Sequence, residues 1–244
     1  MKLLMPREHG AWAMLAVPFI IGGAVYGFNW WHIPLFLGWF SLYLCSYPLM
    51  MTVRQPKNNV HYLKWLVIYA LAAGAWLTGP LLRYPGILWL VPLILPLLLI
   101  NVYYARRRQE RALFNDFCAV AELSLGGVAS SYIGAGGVWT EKSWLVYLIC
   151  ILFFMGSVFF VKTMIREKNN RQFRYLSWSY HVLLTVLPLL LTGGLPLTLA
   201  FLPSMGRAIC YGGRDLTPLR IGQIEIVNSL WFTIWIVAWL ISIG

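Results

Sequence analysis

The feature that most constrains this chain is a series of apolar stretches, each about as long as a membrane is thick. Short connections separate them, and the charges collect there. A helix needs about 20 apolar residues to cross the hydrocarbon core. Breaking the sequence at glycine, proline and charge clusters gives about nine spans. They lie near 11–28, 32–53, 63–82, 86–105, 112–135, 142–165, 175–192, 195–211 and 222–243. The seventh and eighth are short and joined by Gly193 and Gly194, so a broken or re-entrant pair is an alternative there. Only 11% of the residues are charged and 60% are hydrophobic, with a mean hydropathy of +0.70. Soluble domains carry about 25% charged residues, so this chain has too little polar surface to face water all round. Strand-period alternation is absent, which argues against a β-barrel. The expected fold is all-α: a polytopic transmembrane helical bundle in which residues 1–244 form a single integral membrane domain.

Charge placement orients that bundle. Of the 19 Lys and Arg, all but Arg83 and Lys142 fall at the N-terminus or in every second connection. By the positive-inside rule this pattern predicts nine crossings, a cytoplasmic N-terminus and an outside C-terminus. The net charge of +11 then reports topology, and nucleic acid is not expected as a partner. Trp30, Trp31, Trp139 and Trp144 sit near predicted outer ends, as interfacial anchors do. The start of the chain lacks a convincing cleavage site, so the first span is expected to be retained. Cys45, Cys118, Cys150 and Cys210 are widely spaced, and free thiols are expected. Gly22, Gly23, Gly126, Gly127 and Gly134 permit close helix approach.

Candidate site residues gather around residues 101–116, NVYYARRRQERALFND. Asn101, Tyr104 and Arg108 share a helical face at i, i+3, i+7, and Asn115, Cys118 and Glu122 share another by the same spacing. Arg107 belongs to the same basic run. Glu122 lies roughly 15 Å into its span. A carboxylate at that depth faces a partner or a wet cavity, or is protonated. Its structural alternative is a salt bridge or hydrogen bond between helices, with Arg207 a candidate partner. Arg7 and His9, beside Glu8, immediately precede the first span. Arg54 ends the second span. Lys162 and Arg166 end the sixth and share a face at i, i+4. The triplets at 53–55 and 165–167 are alike and four spans apart, a hint of an internal repeat. Basic helix ends turned to one cavity would bind an anion such as a phosphate head group; taken singly, each is also an ordinary topology charge. His181, and Glu225 with Asn228, are further intramembrane polar groups, suited either to proton relay or to helix contacts.

Three segments carry a resemblance. PREHGAWAM at 6–14, RRRQERALFNDF at 106–117 and VKTMIRE at 161–167 resemble the YwiC-like family of uncharacterised bacterial membrane proteins, over nearly the whole chain. That resemblance implies a multi-pass protein of the bacterial inner (plasma) membrane and carries no established activity. More distantly, the helix count and polar ends of spans 2 and 6 are similar to the UbiA superfamily of intramembrane prenyltransferases. YYARRR at 103–108 also resembles that superfamily's tyrosine and basic pair after the fourth helix. The UbiA likeness implies a central cavity for a polyprenyl diphosphate held through magnesium by two aspartate-rich motifs. This chain departs there. It offers Arg54-Gln55 and residues 162–167, where Glu167 is the one carboxylate. Magnesium needs hard oxygen ligands, so neither magnesium nor another metal is supported by these stretches.

The expectation is therefore a UbiA-like bundle with a cytoplasm-facing cavity for an anionic amphipath, a membrane lipid or isoprenoid phosphate. Arg7, His9, Arg54, Asn101, Tyr104, Arg107, Arg108, Lys162 and Arg166 would bind it. If the protein is an enzyme, it is an isoprenoid or lipid group transferase, with Asn115, Asp116 or Glu122 orienting an acceptor or acting as base. The alternative is a non-enzymatic lipid or small-molecule transporter, or an accessory membrane protein.

Overall fold

A computed structural model describes residues 4–6, 10–55, 59–190 and 194–243. Among these residues all regular structure is helical. Nine α-helices run as α1 Gly10–Tyr26, α2 His32–Arg54, α3 Asn59–Arg83, α4 Val91–Arg106, α5 Leu113–Gly134, α6 Glu141–Ile165, α7 Arg171–Val186, α8 Leu195–Tyr211 and α9 Pro218–Ser242. Two 3-10 turns, Pro85–Leu90 and Leu187–Leu190, adjoin α4 and α7. Helix satisfies every backbone group within its own segment, the condition lipid imposes.

Six stretches are long and apolar enough to cross a membrane: α2, α3, Pro85–Arg106, α5, α6 and α9. That is the pattern of a multi-pass membrane protein. α1 is apolar but has 17 residues, while α7 has 16 and α8 has 17. All three are shorter than the roughly 20 residues a perpendicular crossing takes. The expected helices are thus all present, and three fall below spanning length. Gly193, at the predicted join of the seventh and eighth spans, lies outside the described residues.

Local signals account for the boundaries. Pro85 opens the 3-10 turn, and Pro218 sits in the first turn of α9, where a missing N–H costs nothing. Thr217 caps α9 by accepting from Arg220 N, and Asn170 caps α7 by accepting from Phe173 N at 3.1 Å. Both satisfy first-turn donors.

The chain divides into two compact units, Met1–Tyr147 and Leu148–Gly244. In the first, α5 is the central helix: 72% of its spanning window is buried, against 22% for α3 and 11% for Pro85–Arg106. α1 lies along α5, α2 along α3, and α4 against both α5 and α2. The α1–α5 approach depends on paired glycines. A Cβ on Gly22 would strike the Gly127 carbonyl, and one on Gly127 would lie 2.7 Å from the Pro18 carbonyl. Ser130 Oγ donates to Phe19 O at 2.8 Å and Ser131 Oγ to Gly22 O at 3.2 Å, locking the same seam. Leu15, Phe19, Leu35, Trp39, Tyr43, Leu125 and Tyr132 fill the core around it.

In the second unit α8 packs on α7 and α9. Phe153 of α6 stacks on Phe232 of α9 at 3.8 Å. Leu71, Leu82, Trp89, Leu99, Val227, Leu230 and Ile234 stand exposed on the outer faces. In water so much open apolar surface would aggregate; lipid covers it without cost. Trp30 is 85% exposed at the start of α2, with Trp31 beside it, while Trp139 stacks on Tyr132 at 4.3 Å. The four cysteines are free thiols, as their spacing predicts.

Candidate functional site

Residues 107–112, between α4 and α5, form the site's frame. α4 stops in a Schellman arrangement: Gln109 N bonds Tyr104 O at 2.9 Å and Arg108 N bonds Ala105 O at 3.0 Å. Such an end places the residue after the cap in left-handed conformation, usually glycine. Here that residue is Arg108, with φ of 59°. A side chain there costs about 1–2 kcal/mol, so the fold holds an arginine where glycine is cheaper. The sequence spacing set Arg108 on the helical face of Asn101 and Tyr104. That assignment is corrected here, because α4 ends at Arg106 and Arg108 points from a turn.

Glu110 ties this turn to two helices. Its carboxylate pairs with Arg54 Nη1, the last residue of α2, at 3.2 Å. Its carbonyl accepts from Asn115 Nδ2 of α5 at 2.7 Å. The pair is open to solvent, with side chains 40% and 31% exposed, so it contributes little stability by itself. Arg107 lies over the Tyr103 ring at 4.6 Å, and Tyr104 meets that ring edge-on. Asp116 is half-buried in the first turn of α5, where a carboxylate complements the helix dipole.

Deeper in the first unit, Asn101 Nδ2 of α4 donates to Glu122 Oε2 of α5 at 3.0 Å. Asn101 is buried and its Oδ1 has no hydrogen-bond partner. The partner of Glu122 is thus an amide of the adjacent helix. Arg207 is instead the partner of Glu225. Cys118, on the face of Asn115 and Glu122, is fully buried. The structure therefore links Arg54, Glu110 and Asn115 in one chain of contacts, and Asn101 with Glu122 in another.

The remaining candidates stand elsewhere. Lys162 and Arg166 belong to the second unit, where the N–H groups of Arg166 and Glu167 both bond the Lys162 carbonyl at the end of α6. Arg7 and His9 lie outside the described residues. A concavity lined by Phe28, Asn29, Trp30, His32 and Ile33 lies at the opposite end of α2 from Arg54. Among the described residues, no group of three or more His, Cys, Asp and Glu could hold a metal ion.

Glu110 is the contact residue that sequence reasoning missed. Its signal was available: a single carboxylate inside the run RRRQER.

Known proteins fall in line with these segments. Residues 5–131 match the family model described as YwiC-like protein. The chain is 44% identical to the uncharacterized protein YwiC of Bacillus subtilis (strain 168), over 95% of this chain and 96% of that one. It is 35% identical to an uncharacterized protein of Haemophilus influenzae, over 98% and 99% of the two chains. No solved structure matches. The chain belongs to the YwiC-like protein family.

Proposed function

We propose that this protein is a bacterial inner-membrane protein with a cytoplasmic N-terminus that binds an anionic amphipath at its cytoplasmic face. The occupant is an isoprenoid phosphate or related lipid. The observation that carries the reading is Arg108, held in left-handed conformation beside the Arg54–Glu110 pair. A chain that only needed positive charge for topology could place it on any relaxed residue. An arginine in a glycine position, flanked by exposed Arg106 and Arg107, gives a fixed donor array for phosphate oxygens. Arg54 is poised to exchange Glu110 for a head group, since both partners keep solvent access.

In the UbiA-like form of the proposal, the bound isoprenoid or lipid group is transferred without a metal. Asn115, Asp116 or Glu122 would orient the acceptor or take its proton, and Arg7 and His9 would add to the head-group cations. The test incubates purified protein with a radiolabelled polyprenyl diphosphate and aromatic or lipid acceptors, with and without magnesium. Binding and transfer are expected without magnesium. Absence of both binding and transfer rejects the proposal. Binding without transfer supports a lipid-binding transporter or accessory protein instead. Transfer that survives Arg54→Ala, Arg107→Ala, Arg108→Ala together rejects the head-group assignment.

A further inference from the structure

The second unit buries a stripe of polar groups beside its apolar core. On α7, Ser177, His181 and Thr185 recur every four residues and are buried, whereas Leu176, Val182, Leu183 and Val186 of the same helix are exposed. On α8 the buried face carries Thr198, Ser204 and Arg207. Facing it, α9 carries Glu225 and Asn228. Arg207 pairs with Glu225, and one turn away Ser204 and Asn228 exchange hydrogen bonds at 3.0 and 3.1 Å. α6 completes the enclosure: Ser157 Oγ accepts from Arg207 Nη2 at 3.1 Å, and the guanidinium lies over the Phe160 ring at 4.8 Å.

This lining is richer in donors than its own contacts use. Arg207 is 5% exposed and Ser177 1% exposed, yet Arg207 Nε and Ser177 Oγ have no hydrogen-bond partner. His181 Nδ1 is occupied by the Ser177 carbonyl at 2.7 Å, and its other nitrogen lies against Gly156 of α6. Packing alone needs no such surplus, because each unpaired buried donor is a cost. Ionisable groups within a membrane bundle mark ion or substrate sites by default.

We propose that Arg207 is the anchor of an intramembrane site for a small monovalent anion of the carboxylate type, bound together with one proton. A buried guanidinium must keep an anionic partner. Glu225 is that partner in this structure, and an incoming anion replaces it only if the Glu225 carboxylate is neutralised. The balance is simple. A proton adds to the Glu225 carboxylate, the Arg207–Glu225 ion pair opens, and the anion takes the guanidinium. The net charge of the site is unchanged. The Glu225 side chain keeps 14% exposure, against 4% for that of Arg207, so it is the less enclosed member of the pair. The titratable groups at mid-helix beside this pair are Glu225 on α9, Arg207 on α8, and His181 and Tyr180 on α7; Arg171, Arg174 and Tyr175 lie in the first two turns of α7, Cys210 and Tyr211 at the end of α8, and Arg220 at the start of α9. The α6 contacts to Arg207 are the neutral Ser157 and Phe160, with Lys162 nearer the end of that helix.

The probe is trifluoroacetate, which stays ionised, titrated into detergent-purified protein and followed by 19F NMR. Wild type is expected to bind it about tenfold more tightly per unit fall in pH, the slope of one coupled proton. Glu225→Gln removes the resident counter-ion. It should bind at least tenfold more tightly than wild type near neutral pH, with no pH slope. The double variant Arg207→Gln, Glu225→Gln leaves no buried charge and should fold but not bind. No binding by wild type and by Glu225→Gln overturns the proposal. So does a pH slope that persists in Glu225→Gln, or binding retained by the double variant. None of these readings depends on a polyprenyl ligand, so they stand or fall apart from the head-group site.

Discussion

Asn101 and Glu122 make one hydrogen bond, and within lipid that bond carries the α4–α5 contact's polar load. Removing one partner strands the other in a place without water, which costs about 1–3 kcal/mol. Asn101→Ala should therefore lower thermal stability in detergent, whereas Glu122→Gln, which can still accept from the Asn101 amide, should retain most of it. Equal loss in both variants would mean that the bond holds the helices only when Glu122 accepts it as a charged carboxylate. At the open end of the same unit the balance differs. Arg54 and Glu110 are both solvent-accessible, so a double-mutant cycle on stability should return about 0.2–1 kcal/mol. Arg54→Ala should then leave the melting temperature nearly unchanged while weakening diphosphate binding by about tenfold, the effect of one charge-assisted contact. A coupling well above that range would make the pair structural and remove Arg54 from the proposed site.

Among the elements, α1 and α5 show how a membrane bundle is held without a hydrophobic drive between helices. Small residues bring backbones close, and serine hydroxyls bond across the seam. Gly22 meets the Gly127 carbonyl with no room for a side chain. Gly22→Leu must push the helices apart, and overpacking of this kind costs about 1–3 kcal/mol. The expected readout is loss of the monodisperse detergent peak or a lower melting temperature. Gly74, where a Cβ meets nothing within 4 Å, is the control, and Gly74→Ala should be silent. If both variants behave alike, close approach at Gly22 is not what stabilises α1. α7 makes a complementary case. Its polar stripe faces in and its apolar side faces out, so periodicity alone describes an amphipathic helix with the wrong side buried for water and the right one for lipid.

For the whole molecule, orientation is the property to test. Reporter fusions or introduced cysteines after Arg54, within residues 107–112 and near Asn170 should be accessible from the cytoplasm. Those near Asn29, Tyr84 and Gly137 should be accessible from outside. A reversed pattern would move the proposed head-group site to the other face, and mixed accessibility confined to α7 and α8 would mark those helices as re-entrant.

The sequence by itself determined the helices, though not every end: α7 runs Arg171–Val186 rather than 175–192, and α4 stops before Arg108. Apolar length, proline and charge are local properties, and lipid leaves the backbone one way to satisfy itself within a segment. It also singled out Arg54, Asn101, Asn115 and Glu122 as candidates, because polar and charged groups in or beside an apolar run are costly wherever the run packs. Only the tertiary structure decided who meets whom. Arg207 pairs with Glu225, Asn101 holds Glu122, and Glu110 joins Arg54 to Asn115. Partnership depends on the rotation and register of neighbouring helices. Those are set by the fit of glycines, serines and aromatic rings across each seam, and no single segment carries that information.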